Sequence, residues 1–144
     1  MKRILLNMVL GSAVFAQAPD NINDKIDRMA DQLERQVIEW RRDFHENPEL
    51  SNREFRTAEK VADHLRSLGM EVQTGVAHTG VVGLLKGGKP GKVVALRADM
   101  DGLPVKEKVD LPFASKAKGI YQDKEVDVMH ACGHDNHISG LMGA

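Results

Sequence analysis

Lys92-Val93-Val94-Ala95-Leu96-Arg97-Ala98-Asp99-Met100-Asp101-Gly102 is the stretch on which the fold turns. Its apolar centre, Val93 to Leu96, offers no polar residue to solvent, the pattern of a strand covered on both faces. Strands of that kind lie in sheets with helices packed against them, so the stretch predicts an α/β domain. In such sheets ligands gather at the carboxyl ends of strands, where Asp99 and Asp101 fall. The pair reads either as charge delivered to a cleft, able to orient a metal-binding imidazole, or as the Asp-Gly turn that follows a strand.

The elements before it fit that class. Ile22, Ile26, Met29, Leu33, Val37, Trp40 and Phe44 recur at steps of three and four, one apolar stripe on a helix that Asp20 or Asn23 would cap. Pro48 ends the pattern by forcing Asn47 out of helical geometry. A second helix is expected from Ser51 or Asn52, with Phe55, Ala58, Ala62, Leu65 and Leu68 as its stripe and Gly69 as the left-handed residue after its end. Met70–Thr74 and Val81–Lys86 read as strands, residues 103–128 as loop, and Ile138, Leu141, Met142 and Ala144 as the start of a third helix.

Composition narrows the function classes. The 20 basic and 21 acidic residues nearly cancel, and aromatic content is 4%, so neither the basic excess nor the stacking surface of a nucleic-acid binder is present. Lys2 and Arg3, the apolar stretch Ile4–Phe15 and the small-x-small run Ala16-Gln17-Ala18 read as a signal peptide over residues 1–18. The mature chain, 19–144, is then exported, periplasmic or secreted, with no membrane association after the signal is removed. Cys132 is the only cysteine, so no internal disulfide forms.

Chemistry concentrates in His130-Ala131-Cys132-Gly133-His134-Asp135-Asn136-His137. Thiolate and imidazole are good ligands for zinc and related divalent ions. Cys132 and His134 lie two apart and can reach one point, with Gly133 freeing the backbone between them. His134 and His137 share a face if helical. The plainer reading, a free thiol beside surface histidines, suits an isolated residue better than a cluster this dense. No second Cys/His pair at finger or ribbon spacing exists. His45, His64 and His78 are isolated, and His64 reads as ordinary surface. Arg41-Arg42-Asp43-Phe44-His45-Glu46-Asn47-Pro48-Glu49-Leu50-Ser51 reads as a helix end and turn with surface ion pairs.

Taken together, Arg41-Arg42-x-x-His45-x-x-Pro48-Glu49-Leu50-Ser51, Ala95-Leu96-Arg97-Ala98-Asp99-Met100-Asp101-Gly102-Leu103-Pro104, Leu111-Pro112-Phe113-Ala114-Ser115 and Met129-His130-Ala131-Cys132-Gly133-His134-Asp135 resemble the dinuclear-metal aminoacylase and carboxypeptidase family. Within it they are most similar to the amidohydrolase branch of hippurate hydrolase, auxin-conjugate hydrolases and N-acyl-amino-acid deacylases. The resemblance implies the N-terminal part of a zinc-peptidase-like α/β catalytic domain. It implies Cys132 and His134 as metal ligands, Asp99 as the catalytic aspartate that orients the centre, and divalent manganese or zinc, two ions per complete site. A small-molecule amide is the implied substrate and a homodimer the implied assembly of the full-length protein. The family's glutamate pair, its two further histidine ligands and its lid or dimerisation domain would lie beyond residue 144, which makes the chain alone an inactive fragment. Asn136 and Gly102 depart from the family's usual glycine and alanine. A non-catalytic metal-binding or structural module on the same scaffold, or a dipeptidase or carboxypeptidase of the family, are the alternatives.

Overall fold

A computed structural model describes residues 21–144; the signal-peptide reading of 1–18 lies outside them. The chain runs α1 (Ile22–Glu46), α2 (Phe55–Ser67), β1 (Glu71–Val76), β2 (Gly80–Leu84), β3 (Lys118–Tyr121), β4 (Lys124–Asp127) and α3 (His134–Gly143). Helices and strands share one fold, in keeping with the α/β class. The strands form two antiparallel hairpins, β1–β2 and β3–β4.

The apolar stripe makes α1, and its C-terminal half is the half that is covered. Phe44 is fully buried with Ile138 and Met142 of α3, and Trp40, Val61 and Met100 close around them. The N-terminal half, with Ile22, Ile26 and Met29, is exposed. The cap is Asn21, whose side chain accepts the Asn23 N–H at 3.2 Å, in place of the expected Asp20 or Asn23. Asn47 leaves helical geometry ahead of Pro48, as the proline dictates.

Helix α2 begins at Phe55, later than Ser51 or Asn52, because Asn52 takes a φ of 61° that no helix accommodates. Its first turn is held from outside: the Glu49 carboxylate accepts the backbone N–H of Arg56 at 3.0 Å and of Thr57 at 2.8 Å. Gly69, at φ 76°, ends the helix in the left-handed region. The β1–β2 hairpin then folds back on α2, close enough that a Cβ on Gly83 would stand 3.0 Å from Leu65 Cδ1.

Two expectations are corrected. Val93–Leu96 is not a strand; Val93 is 88%, Val94 82% and Leu96 68% exposed. A strand covered on both faces needs a neighbour on each edge and a layer on each side, and no described strand pairs with it. Residues 103–128 are not all loop: β3 and β4 pair from Lys118↔Asp127 to Tyr121↔Lys124. Gln122 and Asp123 turn between them at φ 49° and 61°, the left-handed pair of a two-residue hairpin.

One more set of contacts places the site. Gly102 N–H donates to the Glu49 carbonyl at 2.7 Å, in a parallel bridge between Leu50 and Gly102. Leu103 and Met129 exchange backbone hydrogen bonds at 2.8 and 3.0 Å. Asp101–Leu103 is therefore gripped between the 48–50 turn and the segment leading into α3.

Candidate metal centre

Gly133 opens α3 as its N-cap in the left-handed conformation, φ 81°, which a glycine adopts without strain. This turn swings the chain from the exposed loop carrying Cys132 into the helix carrying His134 and His137. Three residues apart on α3, the two imidazoles face each other with centroids 5.4 Å apart. Asp99 meets them from the far segment. One donor atom from each of Asp99, His134 and His137 lies within 4.8 Å of the others.

The His134 ring has its direction fixed. Nδ1 lies 2.9 Å from the Asp101 carbonyl oxygen and 3.0 Å from Asp101 Oδ1, so Nδ1 carries the proton and donates. Nε2 is left with its lone pair, 4.0 Å from Asp99 Oδ2. An imidazole turned in this way by an acceptor behind it is the arrangement of a metal ligand. A carboxylate and imidazoles are a donor set that zinc or manganese accepts, so the residues fit a divalent ion.

Asp99 and His134 thus converge. Cys132 lies in the turn that precedes α3, exposed, with its thiol outside the three-residue group. The contact that orients His134 is made by Asp101, while Asp99 is tied to Arg97 Nη2 at 2.5 Å on the open side. His137 joins the donors. The i, i+3 spacing from His134 was the signal for it.

Behind α3 is a polar cluster that sequence reading missed. His45 is buried, with Nδ1 2.8 Å from Asp135 Oδ2 and Nε2 2.8 Å from Glu107 Oε2. Arg41 Nε reaches the same Asp135 oxygen at 2.9 Å. Burial works against the Glu107 carboxylate, yet the His45 hydrogen bond and the backbone N–H groups of Val109 and Lys108 bring its pKa below the ordinary range. His130 is buried nearby; loss of solvent pushes its pKa down, Asp135 opposes that, and the charges of His45 and His134 add to it. His64, expected at the surface, instead binds the Met142 carbonyl through Nε2 at 2.8 Å and packs edge-on against Trp40.

The chain is similar to known proteins. The model of peptidase family M20/M25/M40 matches residues 95–144. "Thermostable carboxypeptidase 2" of Saccharolobus solfataricus is 51% identical over 121 residues, 83% of this chain and 29% of that protein. An "N-acyl-L-amino acid amidohydrolase" of Geobacillus stearothermophilus is 44% identical over 120 residues, 83% of this chain and 30% of that protein. The chain therefore spans under a third of the length of the curated relatives it matches. Among solved structures, the Bacillus subtilis YXEP protein, described as a dinuclear metal binding peptidase from the M20 family, superposes with a TM-score of 0.67 at 39% identity, over 78% of this chain and 30% of that one.

Proposed function

Because the chain belongs to peptidase family M20/M25/M40, we propose that it forms the metal-binding edge of a metal-dependent amidohydrolase acting on N-acyl amino acids or similar small, hippurate-like amides. The observation that carries this reading is the His134 ring, held through Nδ1 by Asp101 with Nε2 turned toward Asp99 and His137.

Cys132 and His134 would hold the ion, with Asp99 and His137 at the same edge. A bound divalent ion, manganese or zinc, supplies Lewis acidity that acidifies water and polarises an amide carbonyl. The chain's own part is to prepare the donors. Asp101 fixes the His134 tautomer and raises the basicity of Nε2. Cys132 would serve as a thiolate ligand and not as a nucleophile, since a thiolate whose lone pair is committed to the metal is not free to attack. Catalytic zinc sites use three protein ligands and a water, the number of donors that Asp99, His134 and His137 bring together. Export by the 1–18 segment is part of the same reading; a mature N-terminus at Pro19 would support it.

Metal analysis tests the proposal directly. The purified chain is loaded with manganese or zinc beside Cys132→Ala and His134→Ala, and bound metal and hippurate hydrolysis are measured in each. Both variants should lose metal and whatever turnover the wild type shows. Equal metal content in all three would overturn the assignment.

A further inference from the structure

His45 occupies the last turn of α1 with 5% of its surface exposed, and the metal chemistry makes no use of it. Its two ring nitrogens face two different carboxylates, Asp135 and Glu107, each at 2.8 Å. An ionised carboxylate only accepts. A neutral imidazole has one N–H and one lone pair, so in that state one of the two contacts would press a lone pair against a carboxylate oxygen. Only the doubly protonated ring donates to both.

The surroundings fit that charge. Arg41, a second cation, reaches Asp135, so the cluster of four carries no net charge when His45 is an imidazolium. Phe113 flanks it: the His45 ring meets its edge at 5.8 Å, and the guanidinium groups of Arg41 and Arg42 lie 5.4 and 5.2 Å from its ring centre. The remaining titratable neighbour, His130, is held toward its neutral form by burial.

The cluster joins three segments that are distant in sequence. Arg41 and His45 come from α1, Glu107 and Phe113 from the loop before β3, and Asp135 from the first turn of α3, beside His134.

We propose that His45 is a positioning residue for the metal centre: as an imidazolium donating from both ring nitrogens, it clamps the Glu107 loop and α1 onto Asp135 and fixes the α3 turn that carries His134 and His137. This rests on the metal-centre reading above. His45 touches no ligand; it acts through Asp135. The loop and the metal-binding turn are then one mechanical unit, and loosening the loop loosens the ligands.

The experiment has two arms. In protein labelled with 15N-histidine and free of metal, the His45 ring at pH 7.5 should show both nitrogens protonated. A ring with one bare nitrogen overturns the proposal whatever the metal result. Separately, manganese affinity is measured by calorimetry for the wild type, His45→Gln, Glu107→Gln and His134→Ala. His45→Gln should weaken binding about 10–100-fold, the usual effect of losing a partner behind a ligand, with far-UV CD unchanged. Glu107→Gln preserves shape and leaves Asp135 and Arg41 in place, so it serves even if His45→Gln fails to fold; it should weaken binding severalfold. Wild-type affinity in either folded variant sinks the positioning role, leaving only a structural one. If His134→Ala binds as well as wild type, the metal-centre reading fails and takes the positioning role with it, while the nitrogen spectrum still reports on the clamp.

Discussion

Replacing Glu49 by alanine should unfold this protein more readily than its place in a turn suggests. Among the described residues the side chain is the only acceptor for the N–H groups of Arg56 and Thr57 in the first turn of α2, and Glu54, at the N-cap, makes no side-chain cap. The two lost bonds are not equal. Arg56 is exposed, so water can take over its N–H. Thr57 is fully buried, and an unsatisfied buried donor costs about 1–3 kcal/mol. Losing a carboxylate from the positive end of the helix adds about 0.3–1 kcal/mol. The expected loss is about 2–3 kcal/mol, or roughly 6–15 °C in Tm for a chain of this size. Glu49→Gln keeps one acceptor but sets an amide NH2 against the other N–H, and should cost about half as much. Urea unfolding followed by far-UV CD at pH 7 measures both, with the m-value unchanged if only stability moves. A Glu49→Ala variant within about 0.5 kcal/mol of wild type refutes the reasoning, as does a Glu49→Gln variant that loses more than the alanine.

Other outcomes follow from single features. Asp101→Ala removes one of two acceptors on His134 Nδ1 but leaves the backbone carbonyl at 2.9 Å, so manganese affinity measured by calorimetry should fall about tenfold, the low end for such partners. Phe44→Ala empties the centre of the α1–α3 contact, where the ring is fully buried, and should cost about 3–5 kcal/mol by urea unfolding. Burial raises the Asp43 pKa, but the hydrogen bonds and charges of Arg56 and Lys60 outweigh it and hold the pKa below the usual value. A depressed carboxylate stabilises the fold above its unfolded pKa and loses that effect as pH falls through the folded pKa, so the Asp43 contribution should be constant from neutrality to about pH 5 and vanish in the acid range. Asp43→Asn should flatten that part of the stability profile between pH 5 and 2, and an unchanged profile would count against the assignment.

The sequence made some of this legible and hid the rest for physical reasons. A helix carries its own hydrogen bonds, so the stripe from Ile22 to Phe44, Pro48 and the left-handed Gly69 could be read locally. A strand depends on a partner, and the apolar run Val93–Leu96 records only that it suits burial. The β3–β4 hairpin went unread because one face is barely covered and its alternation is weak; the Gln122-Asp123 turn was the clue available. At the site, density of donors within a few residues drew attention to Cys132 and His134; of the two, the structure brings His134 into the three-residue group and leaves Cys132 outside it. His45 gave no such signal, because its partners lie 62 and 90 residues away and neither contact has a local pattern.

Asp99 and Asp101 stand in one short segment, and the geometry gives them different parts. Two residues apart in an extended chain, their side chains point the same way, and both reach the imidazole of His134. Their surroundings separate them. Asp101 precedes Gly102, whose N–H is fixed on Glu49, and a Cβ on Gly102 would stand 2.9 Å from Pro48 Cβ and 3.1 Å from Val128 Cγ1. Asp101 is therefore the carboxylate on rigid backbone, and it takes the part that needs rigidity, holding Nδ1. Asp99 stands nearer the exposed Val93–Leu96 run with its side chain 41% open, on the side where Nε2 presents its lone pair. The Pro48-Glu49-Leu50 turn, which carries no chemistry, thereby supports the residue that aims His134. It accompanies the metal motif because the same turn caps α2 through the Glu49 side chain and anchors Gly102 through the Glu49 carbonyl.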